Sequence, residues 1–250
     1  MMASIQPSWG PNRRQILVLG LALGSLALVG GYLFFKHIRP NSERLTRLRS
    51  FWRNPMGHPE WTVEAGQRCP GAPFLIPTEG MIGFLWGDSF RPGHVHQGID
   101  IFAPTGPEGL GETPVVAAYD GYITREADWR SALIQRVPKD PLQPERQIWL
   151  YYTHMADPQG NSFIVDEFPA GAEEKFVTAG TLLGYQGNYS GNPDNPTGIH
   201  LHFSIVKDDG QGNFLNELEF DNTVDPSAYL GLELNAEQAG DQIPLCPEPA

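Results

Sequence analysis

The stretch Gly198-Ile199-His200-Leu201-His202-Phe203-Ser204-Ile205 alternates polar and apolar residues with a period of two. Successive side chains of an extended strand point to opposite faces, so His200, His202 and Ser204 share one face and Leu201, Phe203 and Ile205 the other. A second patch, Gly93-His94-Val95-His96-Gln97-Gly98-Ile99-Asp100, reads the same way, with His96, Gly98 and Asp100 facing opposite Gln97, Ile99 and Ile101. Two strands therefore each offer imidazole or carboxylate on one side and hydrocarbon on the other. Four of the seven histidines lie in these two patches.

Outward from these patches, Gly and Pro punctuate the chain every few residues after Pro55, and no long apolar pattern of helical period appears. Twenty-eight glycines and 23 prolines favour tight turns and short strands. Strands are predicted at residues 83–86, 97–102, 114–118, 121–126, 132–137, 147–154, 181–186 and 199–206. Long loops at 138–146 and 187–198 are placed to wall a site. The expected fold is all-β: mainly antiparallel sheet, as a twisted sandwich or an open barrel groove, preceded by one transmembrane helix.

Imidazole and carboxylate gathered on strand faces suit a divalent metal. Zinc accepts both donors, and a catalytic zinc uses three protein ligands and keeps a fourth position open. Gly98, between His96 and Asp100, reads as space left for the ion.

These residues resemble the lysostaphin-type zinc metallopeptidases. His96-Gln97-Gly98-Ile99-Asp100, followed by Ala103-Pro104, Thr113-Pro114-Val115-Val116-Ala117 and Asp120-Gly121, is similar to the first signature of that family. Tyr152-Thr153-His154-Met155 resembles its central histidine motif, and Gly198-Ile199-His200-Leu201-His202-Phe203 its final His-x-His motif. Residues 177–184 resemble the turn and strand before the last loop, and the likeness covers about residues 80 to 230. The resemblance implies one zinc ion held by His96, Asp100 and His202, with His154 and His200 as catalytic histidines that do not bind metal. It implies His200 as general base and His154 as donor to an oxyanion. The implied activity is hydrolysis of stem-peptide or cross-bridge bonds in bacterial peptidoglycan. Relatives that have lost ligands act as regulators of other wall hydrolases, a reading that five intact site residues oppose; a zinc peptidase acting on a non-wall peptide is the other alternative. Insertions at 106–112, 138–146 and 187–198 bear on substrate preference. Tyr119, Tyr152, Asn188 and Tyr189 are candidates to line the substrate groove, and His94 matches no motif position.

The N-terminal region is of another kind. Residues 16–35, ILVLGLALGSLALVGGYLFF, carry no charge and at helical rise reach roughly 30 Å, enough to span a bilayer. The residues after Gly30-Gly31 make a poor cleavage site, so an uncleaved signal anchor is expected over a removed signal peptide. Basic residues past the span favour a cytoplasmic body by the positive-inside rule. Asn12-Arg13-Arg14-Gln15 instead resembles a twin-arginine export signal, and the wall-hydrolase reading requires an extracytoplasmic catalytic domain on a single-pass membrane protein. The expected organisation is a tail at 1–15, the anchor at 16–35, a basic juxtamembrane linker or surface helix at 36–60, the peptidase domain at 61–230 and a tail at 231–250.

Charge follows this division. Residues 1–53 hold eight basic side chains against Glu43, a net of +7, so the remainder supplies −19 of the whole-chain −12. So acidic a body excludes a general nucleic-acid binder, while the basic segment suits an anionic membrane surface. Expected partners are a peptidoglycan peptide, the membrane through the N-terminal helix and an unidentified regulatory protein. Cys69 and Cys246 bracket the domain, either as free thiols or as a disulfide formed in an oxidising compartment.

Overall fold

The computed structural model describes residues 42–89 and 93–247. The expected anchor at 16–35 lies outside the described residues, as do the tail before it and the Arg13-Arg14 pair. No helix among the described residues is long and apolar enough to cross a membrane.

Helix α1 (Ser42–Arg53) leads into ten strands: β1 (Met81–Phe84), β2 (Ile99–Phe102), β3 (Pro114–Val116), β4 (Gly121–Thr124), β5 (Leu133–Val137), β6 (Ile148–Thr153), β7 (Lys175–Val177), β8 (Leu182–Tyr185), β9 (His200–Lys207) and β10 (Thr223–Val224). A one-turn helix, α2 (Ser227–Leu230), follows β10. The large sheet runs β1-β2-β9-β6-β5-β4-β7, with β10 also paired to β9; β3 and β8 form a second sheet. Every pairing between these strands is antiparallel. The all-β expectation therefore holds, with observed strands one or two residues shorter at several ends and the first strand lying two residues earlier. The expected list lacked β7 and β10, which have only three and two residues and too little alternation to detect.

Alternation decides the core. Leu201, Phe203 and Ile205 of β9 join Ile99, Ile101, Leu150, Tyr152, Leu133 and Ile123 of the large sheet, with Val115 and Leu183 of the small one. Fully burying one such aliphatic or aromatic side chain contributes about 1.5–3 kcal/mol. On the other face, Ile134, Trp149, Tyr151 and Val206 pack under Trp129 and Phe214, covering part of the sheet and leaving the end near His202 open.

The helix within the basic segment and the C-terminal segment both pack into this body. Leu48 and Phe51 of α1 are fully buried in a cluster with Met81 and Phe102. Arg44 donates to Asp88 at 2.8 Å, both side chains being largely buried. Leu48 and Phe51 of α1 are thus used within the protein. At the other end Leu232 and Leu234 enter the main core, and Cys246 forms a disulfide with Cys69 at a Cα separation of 5.1 Å.

Candidate metal centre and active site

Antiparallel register sets Asp100 of β2 directly opposite His202 of β9, and Phe102 opposite His200. His96 arrives from the turn before β2. Its backbone N–H donates to the Asp88 carbonyl at 2.7 Å, and Gly87 N–H donates to its carbonyl at 2.9 Å. The ring's Nδ1 donates to the Leu85 carbonyl at 3.0 Å. A carbonyl only accepts, so Nδ1 carries the proton and Nε2 presents a lone pair.

That Nε2 lies 3.1 Å from Asp100 Oδ1 and 3.0 Å from His202 Nδ1, and these last two are 2.9 Å apart. Three such atoms converging in a buried place repel one another unless a proton or a cation lies among them. Tetrahedral zinc with nitrogen and oxygen ligands has ligand-to-ligand edges of about 3.3 Å, close to this triangle. His96, Asp100 and His202 therefore fit a divalent cation. The electrostatics agree. Burial opposes a charged Asp100, but His96, His200 and hydrogen bonds from His202 and His96 hold its carboxyl well below the usual range. Burial likewise opposes a charged His96, yet Asp100 and the Leu85 carbonyl outweigh it and raise its pKa. His202 is pushed down by burial despite Asp100.

His154 and His200 stand beside this triangle, outside the metal set, with ring centroids 4.4 Å apart. Each is fixed by a carbonyl: His154 Nδ1 donates to Tyr189 at 2.6 Å and His200 Nδ1 to Gly198 at 2.7 Å. Both rings consequently keep an acceptor Nε2 when neutral. Burial lowers the pKa of His154 and takes that of His200 down to about 3, so both are neutral near pH 7. With its proton on Nδ1, neutral His154 can serve as the expected oxyanion donor only after Nε2 takes up a proton. His154 also has φ of +74°, a left-handed conformation that costs a non-glycine residue of order 1–3 kcal/mol. The surroundings enforce it, because Met155 N–H donates to Ser131, and Asn188 and Tyr189 N–H both donate to Ala156.

Gly98 has a different role from the one expected. A Cβ there would lie 2.2 Å from the Phe203 carbonyl oxygen and 2.8 Å from Ser204 Cβ, so the glycine permits the chain entering β2 to approach β9.

An open cavity of about 520 Å³ lies over the histidines. Trp52, Phe84 and Phe102 line it beside His96 and His200; Ser131, Thr153, Tyr189, Ser190 and Thr197 line it elsewhere. Of the groove candidates, Tyr189 is on this wall. Tyr152 is fully buried in the main core, where its hydroxyl donates to Gln135 and accepts from Ala118 N–H. Tyr119 packs on Phe74 beside the same core. Asn188 is half-buried behind the loop, its carbonyl accepting from Thr197 N–H, outside the cavity lining. His94 lines the cavity without joining the metal set.

Tyr151, Trp52 and Leu218 also line the cavity and were not among the expected groove residues. Strand alternation marks Tyr151: it pairs opposite Ser204, two positions from the Thr153–His202 pair on the same face. Parity groups Tyr152 with His154, and the turn at His154 breaks that parity. Burial pushes the Tyr151 hydroxyl up to about 12, so it stays protonated. Trp52 and Leu218 lie far from the motifs in sequence and carry no local signal.

No family model matches the chain, and none of the curated proteins matches it. Solved structures do. The catalytic domain of the prophage-encoded M23 protein EnpA from Enterococcus faecalis is 21% identical, with 62% of this chain and 97% of that one covered and a TM-score of 0.36. The candidate glycyl-glycine endopeptidase lytM from Ruminococcus gnavus is 23% identical, with 74% and 69% covered and a TM-score of 0.39. At such values the chemistry of this chain rests on its own side chains.

Proposed function

We propose that this chain is a zinc-dependent endopeptidase that hydrolyses peptide bonds in bacterial peptidoglycan, held at the cell membrane by its N-terminal segment. One observation carries the peptidase reading. Three metal-binding atoms converge within about 3 Å of one another beside two neutral histidines that face the same cavity, each held through Nδ1 with Nε2 left as the acceptor, that of His200 lying 3.6 Å from Asp100 Oδ1. The peptidoglycan substrate is supported by the three ordered motifs around His96, His154 and His200 that resemble lysostaphin-type enzymes.

Zinc held by His96, Asp100 and His202 would lower the pKa of water to roughly 7 and polarise a peptide carbonyl. The chain's own groups manage the protons. His154 and His200, neutral and fixed through Nδ1, act as a pair: one Nε2 takes the proton of the attacking water as general base. The protonated ring then donates to the developing oxyanion or to the leaving amine as a cationic donor. Their carbonyl partners, Tyr189 and Gly198, keep both rings turned inward.

Extracytoplasmic placement is supported by the Cys69–Cys246 disulfide, since such bonds persist in oxidising compartments. The decisive assay is zinc content together with release of new amino groups from purified peptidoglycan. Loss of that release on chelation and its return with zinc is the expected result; zinc binding with no release would leave a wall-binding regulator. Protease accessibility of the body in intact cells tests the topology, and full protection counts against wall cleavage.

A further inference from the structure

The basic helix α1, which precedes every motif residue, reaches the active site. Its buried residues Arg44, Leu48 and Phe51 bind it to the Asp88 turn and to Met81 and Phe102. Trp52, next along the helix, is left 45% exposed at the cavity wall. Its indole meets Phe102 edge-on at 5.2 Å, and Phe102 stacks on His200 at 4.9 Å. Phe84 completes the wall, 5.9 Å from Phe102 and 6.4 Å from His96. A Cβ on Gly198 would lie 3.8 Å from Trp52 Nε1, so the glycine keeps the backbone beside the indole bare. Ser131, Thr153, Ser190 and Thr197 make the rest of the lining more polar.

We infer that Trp52, Phe102 and Phe84 form a subsite for an aliphatic residue of the peptide next to the scissile bond, with Trp52 as the substrate-positioning residue that contacts it. The inference rests on the peptidase reading. A half-exposed tryptophan continuous with the catalytic cavity offers large, rigid apolar area to a ligand, and such residues carry a disproportionate share of binding. Aliphatic stem-peptide side chains match this wall, and charged ones would lose hydration against it.

The test uses the full chain, zinc-loaded, and a soluble cross-linked muropeptide dimer released from purified peptidoglycan. KM and kcat are measured for wild type, Trp52→Ala and Trp52→Phe, and Kd for the same dimer is measured with each on a His154→Ala background. Zinc content serves as the folding control. The expected result is that Trp52→Ala raises KM and Kd about tenfold with kcat within about twofold, while Trp52→Phe restores most of the affinity. If wild type cleaves and Trp52→Ala leaves KM and Kd unchanged, the subsite is refuted and the peptidase reading stands. A loss confined to kcat with Kd intact also overturns it, assigning Trp52 to support of the Phe102–His200 stack. Binding without cleavage by wild type sinks the peptidase reading, and Kd still decides Trp52. Neither binding nor cleavage overturns both.

Discussion

Along β9, Leu201, Phe203 and Ile205 are fully buried in the core shared by the two sheets, while His200 and His202, interleaved with them, meet Asp100, His154 and the open cavity. The same backbone thus presents a face that stabilises the fold and a face that stores unfavourable interactions. On the second face, burial that denies His200 its usual protonation and the left-handed backbone of the neighbouring His154 both cost free energy. The difference teaches how a small sheet protein holds reactive groups: hydrocarbon packing one residue away pins positions that electrostatics alone would scatter.

Substitutions on the two faces should therefore separate function from stability. The largest effect is expected from Asp100→Ala, which removes the only carboxylate of the metal set; zinc content by atomic absorption should fall to background and peptidoglycan cleavage with it. His154→Ala or His200→Ala should keep zinc and lose about 10²- to 10⁴-fold in turnover. If the two rings act as a pair, as proposed, the double variant should lose little more than either single one. Near-normal turnover in a zinc-loaded single variant would remove that histidine from the mechanism.

On the apolar face, Phe203→Ala should cost about 3–5 kcal/mol of unfolding free energy by urea titration, with zinc per folded molecule unchanged. Loss of zinc without loss of stability would show that the faces are not separable. Replacing Cys69 and Cys246 by Ser, which opens a loop spanning 177 residues, should lower stability by about 2–5 kcal/mol and leave turnover at saturating substrate alone.

An effect comparable to that of the disulfide concerns pH. In metal-free protein, His200 stays neutral down to about pH 3, whereas in the unfolded chain it takes a proton near 6.5. The unfolded state binds more protons in that window, so stability is full above about pH 6.5 and falls as pH drops toward 3. Urea midpoints between pH 7 and 4 should show this slope, and His200→Gln should flatten it; an unchanged slope would place the burden on other histidines.

Much of the site was legible because β-strand periodicity is local. His200 and His202 fall on one face by counting, and the same count placed Asp100 with His96. The count failed where backbone geometry departs from a strand. Tyr152, expected at the groove, shares strand parity with His154, but the φ of +74° at His154 turns that residue out of register, and Tyr151 is the tyrosine on the cavity. Gly98 was read for the space beside it, when the constraint is the Phe203 carbonyl of another strand.

By itself the sequence determined the all-β class, the alternation that puts metal-binding groups opposite hydrocarbon, and the split between a basic N-terminal region and an acidic body. These follow from side-chain period and composition, which need no long-range contact. Only the tertiary structure decided that Asp100 sits opposite His202, that Cys69 reaches Cys246 and that Trp52 of a basic helix stands at the wall of the cavity over the histidines. Register, chain closure and helix docking depend on contacts between residues tens to hundreds of positions apart. Burial of Leu48 and Phe51 against Phe102 is what brings this basic helix to the wall of the candidate site.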